Sequence, residues 1–474
     1  MLLPLNLDED FVDKESITVT LVLAPKSLRI LRAGFDAPHS GLNWNGDYEE
    51  IASGGNMERI LVLGVGAQGS TAAERLGEHS NVEQIICADY DTNAVDSIVS
   101  KVNGNNPGKA KGIQVDASKK EDIAVIASDV DLIVDALPTQ VGFNAVEAAL
   151  EVKTNYQNFT AGDLPAGADG EAPEWLKAFE MMFEHYSPRF EDIGKTAVIC
   201  TGSAPGLINV VVSDAMRYLD TCETINMFVY EGVEAKRDLP FWWSPEVALG
   251  DMVERPYVFE DGKIIQVDPF SGGNFKEFKG VEESIRMVNH LHDEQILIGM
   301  HADTHFKGCR NANFQYGGVG VEYAEGLYNR GLLSQEKSID IGGEMYSPFE
   351  LMVKMLPPAP KYEHEITEIL EEGLKSDTGA MLVQAFGRKD GKDVRVDTYV
   401  YAPGCAEAFE RSGLTGEMYL TGQGGYLFTE LLIENKFHQK GVVSADMLTE
   451  PQVASYLRKA EALEIRLDTK VVLT

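Results

Sequence analysis

Gly64, Gly66 and Gly69 follow the apolar run Ile60-Leu61-Val62-Leu63 at the spacing G-x-G-x-x-G. Glycines at this spacing hold phosphate when they join a buried strand to a helix. Gly64 permits the tight turn, Gly66 lets backbone approach a pyrophosphate, and Gly69 lets helix and strand pack closely. A helix opening through Ala67 and Gln68 presents unpaired N–H groups and the positive end of its dipole to the phosphates. The next apolar strand, Gln84–Ala88, ends at Asp89, twenty positions beyond Gly69. A carboxylate there hydrogen-bonds the hydroxyls of an adenosine ribose and repels a 2′-phosphate. Tyr90, Asp91 and Thr92 come next, with no arginine to attract such a phosphate. The pattern therefore predicts a dinucleotide, NAD rather than NADP. An FAD site and a glycine-rich turn without ligand are the alternatives.

These residues need a sheet whose strand ends line one edge. From Met57 the pattern supplies it: strands Ile60–Gly64, Gln84–Ala88, Ile113–Val115 and Leu132–Ala136 alternate with helices Ser70–Leu76, Thr92–Val102, Lys119–Ala127 and Asn144–Leu150. Short apolar strands alternating with helices mean β-α-β units and a parallel sheet. Asn155–Phe159 and Ala197–Cys200 read as further strands. Pro173–His185 reads as a helix packing Trp175, Phe179, Met182 and Phe183 onto the sheet. Asp116 follows the third strand, as an adenine-edge group or a helix-start carboxylate. Ala136, Leu137 and Pro138 follow the fourth, at the carboxyl edge where open α/β sheets take ligands. Thr160 and Asp163 follow the fifth and face the nicotinamide end.

After Pro205-Gly206 the runs Thr224–Tyr230, Tyr257–Phe259 with Lys263–Val267, Met381–Arg388 and Arg395–Tyr401 alternate like antiparallel strands, with Asp261-Gly262 as a hairpin turn. The expected fold class is thus α/β: a Rossmann doubly wound parallel sheet with a second, mixed α+β domain. Its divisions are an N-terminal appendage over 1–56, a nucleotide-binding domain over 57–204, a second domain over 205–420, and a helical segment over 421–474. The appendage reads as poorly ordered, from an upstream start codon.

The chain has 474 residues, 75 acidic against 41 basic, for a net charge of −34. This excess argues against electrostatic binding to nucleic acid or anionic lipid. Five widely spaced cysteines without a C-x-x-C pair, no long apolar run and no basic leader point to a cytoplasmic protein. His290-x-His292 and His301-x-Asp303-x-His305 invite a metal reading. On a strand the last three would share a face, but a hydrogen-bonded polar stretch is the preferred account, and no metal is expected.

The segments Leu63–Gly69, Ala88–Asp91, Val115–Ala117, Asp135–Pro138 and Ala204-Pro205-Gly206-Leu207-Ile208-Asn209 together resemble the saccharopine dehydrogenase-like oxidoreductases, closest in pattern to the lysine 6-dehydrogenase members. Ser244-Pro245-Glu246 and Gly422–Leu432 also match, so the resemblance covers most of 57–450. It implies a nicotinamide-dependent enzyme acting on a carbon–nitrogen bond of an amine or amino acid. It also implies an α+β domain that shapes the substrate pocket and homodimer contacts, a crossover at Pro205-Gly206, and a last helix returning to the first domain. Saccharopine-forming members carry arginine where this chain has Glu246. Arginine grips a carboxylate, whereas Glu246 suits an ammonium, or simply starts the helix after Pro245. Trp243 and Tyr230 are expected to wall the substrate stem beside Ser244, or to belong to the core. Asp163 is the candidate base, with Thr160 beside it. The other readings are a non-catalytic NAD-binding sensor and an opine- or polyamine-forming imine reductase.

Overall fold

The computed structural model describes residues 17–21, 29–33, 58–159, 175–360 and 362–473. The chain separates into two units, Met1–Met57 and Glu58–Thr474. In the first, Ile17–Leu21 pairs antiparallel with Arg29–Ala33; the rest of the expected appendage lies outside the described residues.

The second unit opens with β1 (Glu58–Leu63), α1 (Ala67–Glu78), β2 (Val82–Asp89), α2 (Thr92–Asn105), β3 (Ala110–Gln114), α3 (Lys120–Ile126), β4 (Leu132–Asp135), α4 (Thr139–Val152), β5 (Asn155–Asn158) and β6 (Thr196–Ile199). All six strands pair in parallel in the order β3-β2-β1-β4-β5-β6. The order reverses between β1 and β4, which places the ligand crevice at their carboxyl ends. Along β1 the side chains alternate between two cores. Ile60 and Val62 enter one cluster, while Leu61 and Leu63 enter the other. A strand buried on both faces must be apolar throughout, which is why the run looked continuous rather than alternating.

Thr221–Ala235 forms the centre of a nine-stranded second sheet. It pairs in parallel with Asn311–Gly318 and antiparallel with Leu374–Lys389, so the sheet is mixed at its middle rather than antiparallel throughout. Alternation reports only which face is buried, not strand direction. Tyr257–Glu260 and Lys263–Gln266 form the expected hairpin, with both Asp261 and Gly262 at positive φ.

The end of the chain departs from the helical reading of 421–474. Gly441–Ser444 adds a seventh parallel strand beside β6, and Arg466–Leu473 forms an edge of the second sheet. Four buried apolar residues carry no period that separates strand from helix. The helix Gly416–Ile433 packs on the first sheet through glycines. A Cβ on Gly422 would stand 2.6 Å from Thr71, on Gly424 2.5 Å from the Gly202 carbonyl oxygen, and on Gly425 2.2 Å from the Phe159 ring. Gln157 fastens the contact, donating to the Gly425 carbonyl at 2.8 Å and accepting from the Thr429 hydroxyl at 2.7 Å.

Glycine inside a helix is ordinarily less stable than alanine by about 0.5–1 kcal/mol. Gly104, in α2, has nothing within 4 Å of the place a methyl group would take, so Gly104→Ala should raise stability by about that amount. Gly424→Ala should instead lower it by about 1–3 kcal/mol, because the obstruction is backbone. Urea unfolding of both variants checks this; equal stabilisation by both would show that the helix can shift away from Gly202.

Candidate active site

The glycine turn crosses from β1 to α1 with almost no spare volume. Gly64 has φ +77°, and a Cβ there would lie 2.7 Å from the Ala136 carbonyl oxygen; a Cβ on Gly69 would lie 1.8 Å from the Gly64 carbonyl oxygen. Gly66 is the opposite case: it is exposed, and nothing lies within 4 Å of its Cβ position. No side chain caps it at the start of α1. Gln68 adds a buried side-chain oxygen without a hydrogen-bond partner among the described residues. Open space above Gly66 and an uncapped helix start fit the phosphates of a dinucleotide; the Gln68 oxygen, an acceptor, would need a donor instead.

Asp89 ends β2 at the same edge. One carboxylate oxygen accepts from Val65 N at 2.8 Å and the other from Asp91 N at 3.0 Å. The turn and the acid thus fix each other. Tyr90 is largely exposed beside them. Asp116 is engaged locally, accepting from the Ser118 hydroxyl at 2.6 Å and pairing with Lys119 at 3.0 Å. The Ser118 bonds and Lys119 draw its carboxyl down to about 2. Its contacts are within its own turn, three residues before the cap position of α3. Ala136 N donates to Leu63 O at 2.8 Å, Leu137 N donates to the Asp135 carboxylate at 3.0 Å, and Pro138 precedes α4. Pro205 and Gly206 form the turn after β6; Gly206 has φ +132°, and a Cβ there would lie 2.1 Å from the Gly202 carbonyl oxygen. Thr160 and Asp163 lie outside the described residues.

The four expected substrate residues do not share one face: Trp243 lies with Glu231, and the other three lie elsewhere. Ser244 caps the helix Pro245–Val253, accepting from Val247 N at 3.4 Å, and Glu246 stands exposed in its first turn. The acid of that helix that faces inward is Asp251, more than one turn further on. Tyr230 turns away. Successive side chains on a strand point to opposite faces, and Tyr230 stacks on Phe278 at 6.0 Å in a cluster with Phe228, Met287 and Leu382. Its neighbour Glu231 points the other way and accepts from the Tyr316 hydroxyl at 2.7 Å. Trp243 is on this second face. Its indole N–H is turned toward Glu231 and eases the carboxyl's ionisation, yet no acceptor meets it at hydrogen-bonding geometry.

Glu231 belongs to a cluster not foreseen as a site. His292 lies with its ring stacked on Phe314, centroids 4.1 Å apart, and its Nδ1 2.6 Å from a Glu294 carboxylate oxygen. Asp293 accepts from the Trp175 indole at 2.6 Å and stands 3.9 Å from the Cys200 sulfur. This ties the segment to the carboxyl end of β6. Burial pulls the His292 imidazole down, but Glu294, then Asp293 and Asp251, outweigh it and raise it to about 9. Burial, chiefly, raises Asp251 to about 7 and lifts Glu231; burial and the nearby Glu231 raise Glu417, in the first turn of Gly416–Ile433, well above the ordinary carboxyl range. Carboxylates thus outnumber the single imidazolium among them. Such an arrangement disfavours its own ionisation until a cation arrives.

One sequence signal pointed to Glu231: Ile225, Met227, Val229 and Glu231 share the inward face of one strand, and a charge ends that apolar series. The His290-x-His292 pair stood out, but as a possible metal site. His301, likewise, follows a helix rather than lying on a strand, with Nδ1 2.6 Å from Asp446. Among the described residues no group of three or more His, Cys, Asp or Glu is placed to hold a metal ion. A separate groove of about 1090 Å³, lined in part by Arg217, His305, Asp446 and Arg458, includes none of the Glu231–His292 cluster.

Fold and site together are those of a dinucleotide-binding α/β sheet joined to a second, mixed sheet that carries an acidic cluster. Residues 60–198 match the family described as the saccharopine dehydrogenase NADP binding domain. The chain is 22% identical to carboxynorspermidine synthase of Vibrio alginolyticus, across 82% of this chain and 92% of that one. It is 21% identical to carboxyaminopropylagmatine dehydrogenase of Synechocystis sp., with the same coverage of each chain. The apo saccharopine dehydrogenase (L-Glu forming) of Saccharomyces cerevisiae shares the fold, with a TM-score of 0.61 at 13% identity, over 88% of this chain and 100% of that one. The family match is thus confined to residues 60–198, while the fold over most of the chain is that of the yeast enzyme.

A carboxyl whose folded value is raised contributes stability below its unfolded value and loses it as pH rises through the folded value. For Asp251 that loss runs through about pH 7. Asp251→Asn should therefore melt no higher than wild type at pH 5 and about 2 °C higher at pH 9. Thermal melts at the two pH values check this, and an equal difference at both would show that Asp251 is not held neutral.

Proposed function

We propose that the protein is an NAD-dependent enzyme that moves hydride between nicotinamide and a carbon–nitrogen bond of an amine or amino acid, through an imine of the substrate. The substrate carries an ammonium besides the reacting nitrogen. The observation that carries this reading is the Glu231–Asp251–Glu417 set of carboxyls, held partly neutral beside the cofactor edge. A second ammonium entering there would let them ionise and would be held by them. The names of the two bacterial relatives, both polyamine-related, support a polyamine-type amine over lysine or saccharopine.

Bound nicotinamide supplies or accepts the hydride. The chain holds the phosphates at Gly64–Gly69, the ribose at Asp89, and the substrate between the two sheets. Asp89, with no neighbouring arginine, supports NAD, although the matched domain family is described by NADP. Five buried, free cysteines among the described residues support a reducing cytoplasm, and no helix among them is long and apolar enough to cross a membrane. We further propose a homodimer, as the resemblance implied.

Absorbance at alkaline pH, with NAD or NADP against lysine, ornithine, diamines, polyamines and saccharopine, tests the reading; the reverse assay pairs diamines with a carboxylate-bearing aldehyde. Turnover is expected with the diamine or polyamine set. Turnover with saccharopine alone would overturn the ammonium pocket, and silence throughout would favour a sensor. Asp89→Arg should move the NAD/NADP preference toward NADP by at least tenfold, about 1.4 kcal/mol. An unchanged ratio would remove Asp89 from ribose recognition.

A further inference from the structure

We propose that His292, held by Glu294, is the catalytic residue that gives a proton to the substrate nitrogen on reduction and takes it back on oxidation. This rests on the carbon–nitrogen reading above and assigns a proton path that the family resemblance leaves open.

The geometry is that of an oriented imidazole. Nδ1 is fixed 2.6 Å from Glu294, whose side chain is wholly buried. The ring cannot swing, because it stacks on Phe314 with only 12° between planes and meets His290 at 5.6 Å. Among the described residues Nε2 has no hydrogen-bond partner, while the side chain keeps 20% of its surface accessible. The one nitrogen left for a substrate thus belongs to a ring locked at the other. A carboxylate behind an imidazole fixes its tautomer and stabilises its protonated form.

The position is also right. Through Asp293 the segment is bonded to Trp175 and abuts Cys200, which follows β6 at the edge where the sheet takes its ligand. Every packed element turns polar groups toward the ring. Glu294, Asp293 and His290 come from its own segment, Asp251 from Pro245–Val253 and Glu231 from Thr221–Ala235, while Tyr316 of Asn311–Gly318 meets His290 and donates to Glu231. His290 is buried and driven down to about 3, first by burial and then by His292, so it stays neutral and does not compete for the proton.

The step balances simply. On reduction, His292 Nε2–H protonates the imine nitrogen, and hydride adds to the imine carbon, breaking the C=N π bond to give an amine. The imidazole then regains a proton from solvent. On oxidation the ammonium first loses a proton to solvent, the neutral amine's C–H pair leaves as hydride while the nitrogen lone pair forms the C=N π bond, and the protonated imine gives its N–H proton to neutral Nε2, leaving the imine. Reduction therefore needs protonated His292 and should decline above about pH 9, while oxidation should rise through the same range.

The test uses the full chain with histidine-labelled NMR, NADH-fluorescence binding and pH–rate profiles. His292→Gln should bind NADH as wild type does and lose about 10²–10⁴-fold in kcat, with the break near pH 9 gone. Glu294→Gln should keep the break but move it at least one unit lower, in the rate profile and in the imidazole titration alike. A His292→Gln enzyme within threefold of wild type, with the break in place, overturns the proposal. Where Glu294→Gln does not fold, His292→Asn, on the partly accessible ring, decides between the same outcomes. If no amine in the panel turns over, the functional reading falls. The titration then decides the dyad alone: a proton retained to about pH 9 upholds it, and a value near the ordinary 6.5 overturns it.

Discussion

At the carboxyl edge of the parallel sheet, backbone meets backbone with no room for a side chain. Gly64 touches the Ala136 peptide, Gly69 the Gly64 carbonyl, Gly206 and Gly424 the Gly202 peptide. These approaches bring α1, the turn after β6 and the helix Gly416–Ile433 to one line above the strand ends. A parallel sheet aligns its strand ends but leaves a crevice between them. Glycines narrow its rim until peptide groups themselves form the walls. Gly66 is the exception, and its open side is where a pyrophosphate can reach the uncapped start of α1.

The second sheet completes the site by supplying charge rather than shape. Its central strand sends Tyr230 into an aromatic cluster and Glu231 toward the crevice. Asp251, Glu417, Glu294 and Asp293 converge from other segments on the same volume, around one imidazolium. Burying like charges together is unfavourable unless protons or a partner cation offset it. The arrangement departs from what would stabilise the fold best, as binding sites commonly do. The same concentration of acid raises the His292 imidazole far above its ordinary range, so in the proposed reaction one field would serve both ammonium binding and proton transfer.

The chain's ends show how closely the two sheets are joined. The helix that carries Glu417 at its start reaches Thr71 of α1 one turn later. The chain then adds Gly441–Ser444 to the first sheet and finishes with Arg466–Leu473 on the second. Glu417 is thereby anchored through the first sheet, while Glu231 is anchored in the second.

Much of the cofactor half was legible in the sequence alone. A strand buried on both faces must be an unbroken apolar run, and a phosphate turn must carry glycine where a Cβ would strike backbone; both constraints act within ten residues of Gly64. Asp89 was readable for the same reason, since its place is set by the length of one β-α-β unit. The substrate half was not. Glu246, Ser244 and Tyr230 are near one another in sequence, whereas the acidic cluster draws on Glu231, Asp251, His292 and Glu417, as much as 186 positions apart. Only the pairing of Thr221–Ala235 with Asn311–Gly318, and the glycine contacts of the last long helix, bring those four together. Local periodicity fixes which face a residue occupies, but long-range packing chooses which faces meet.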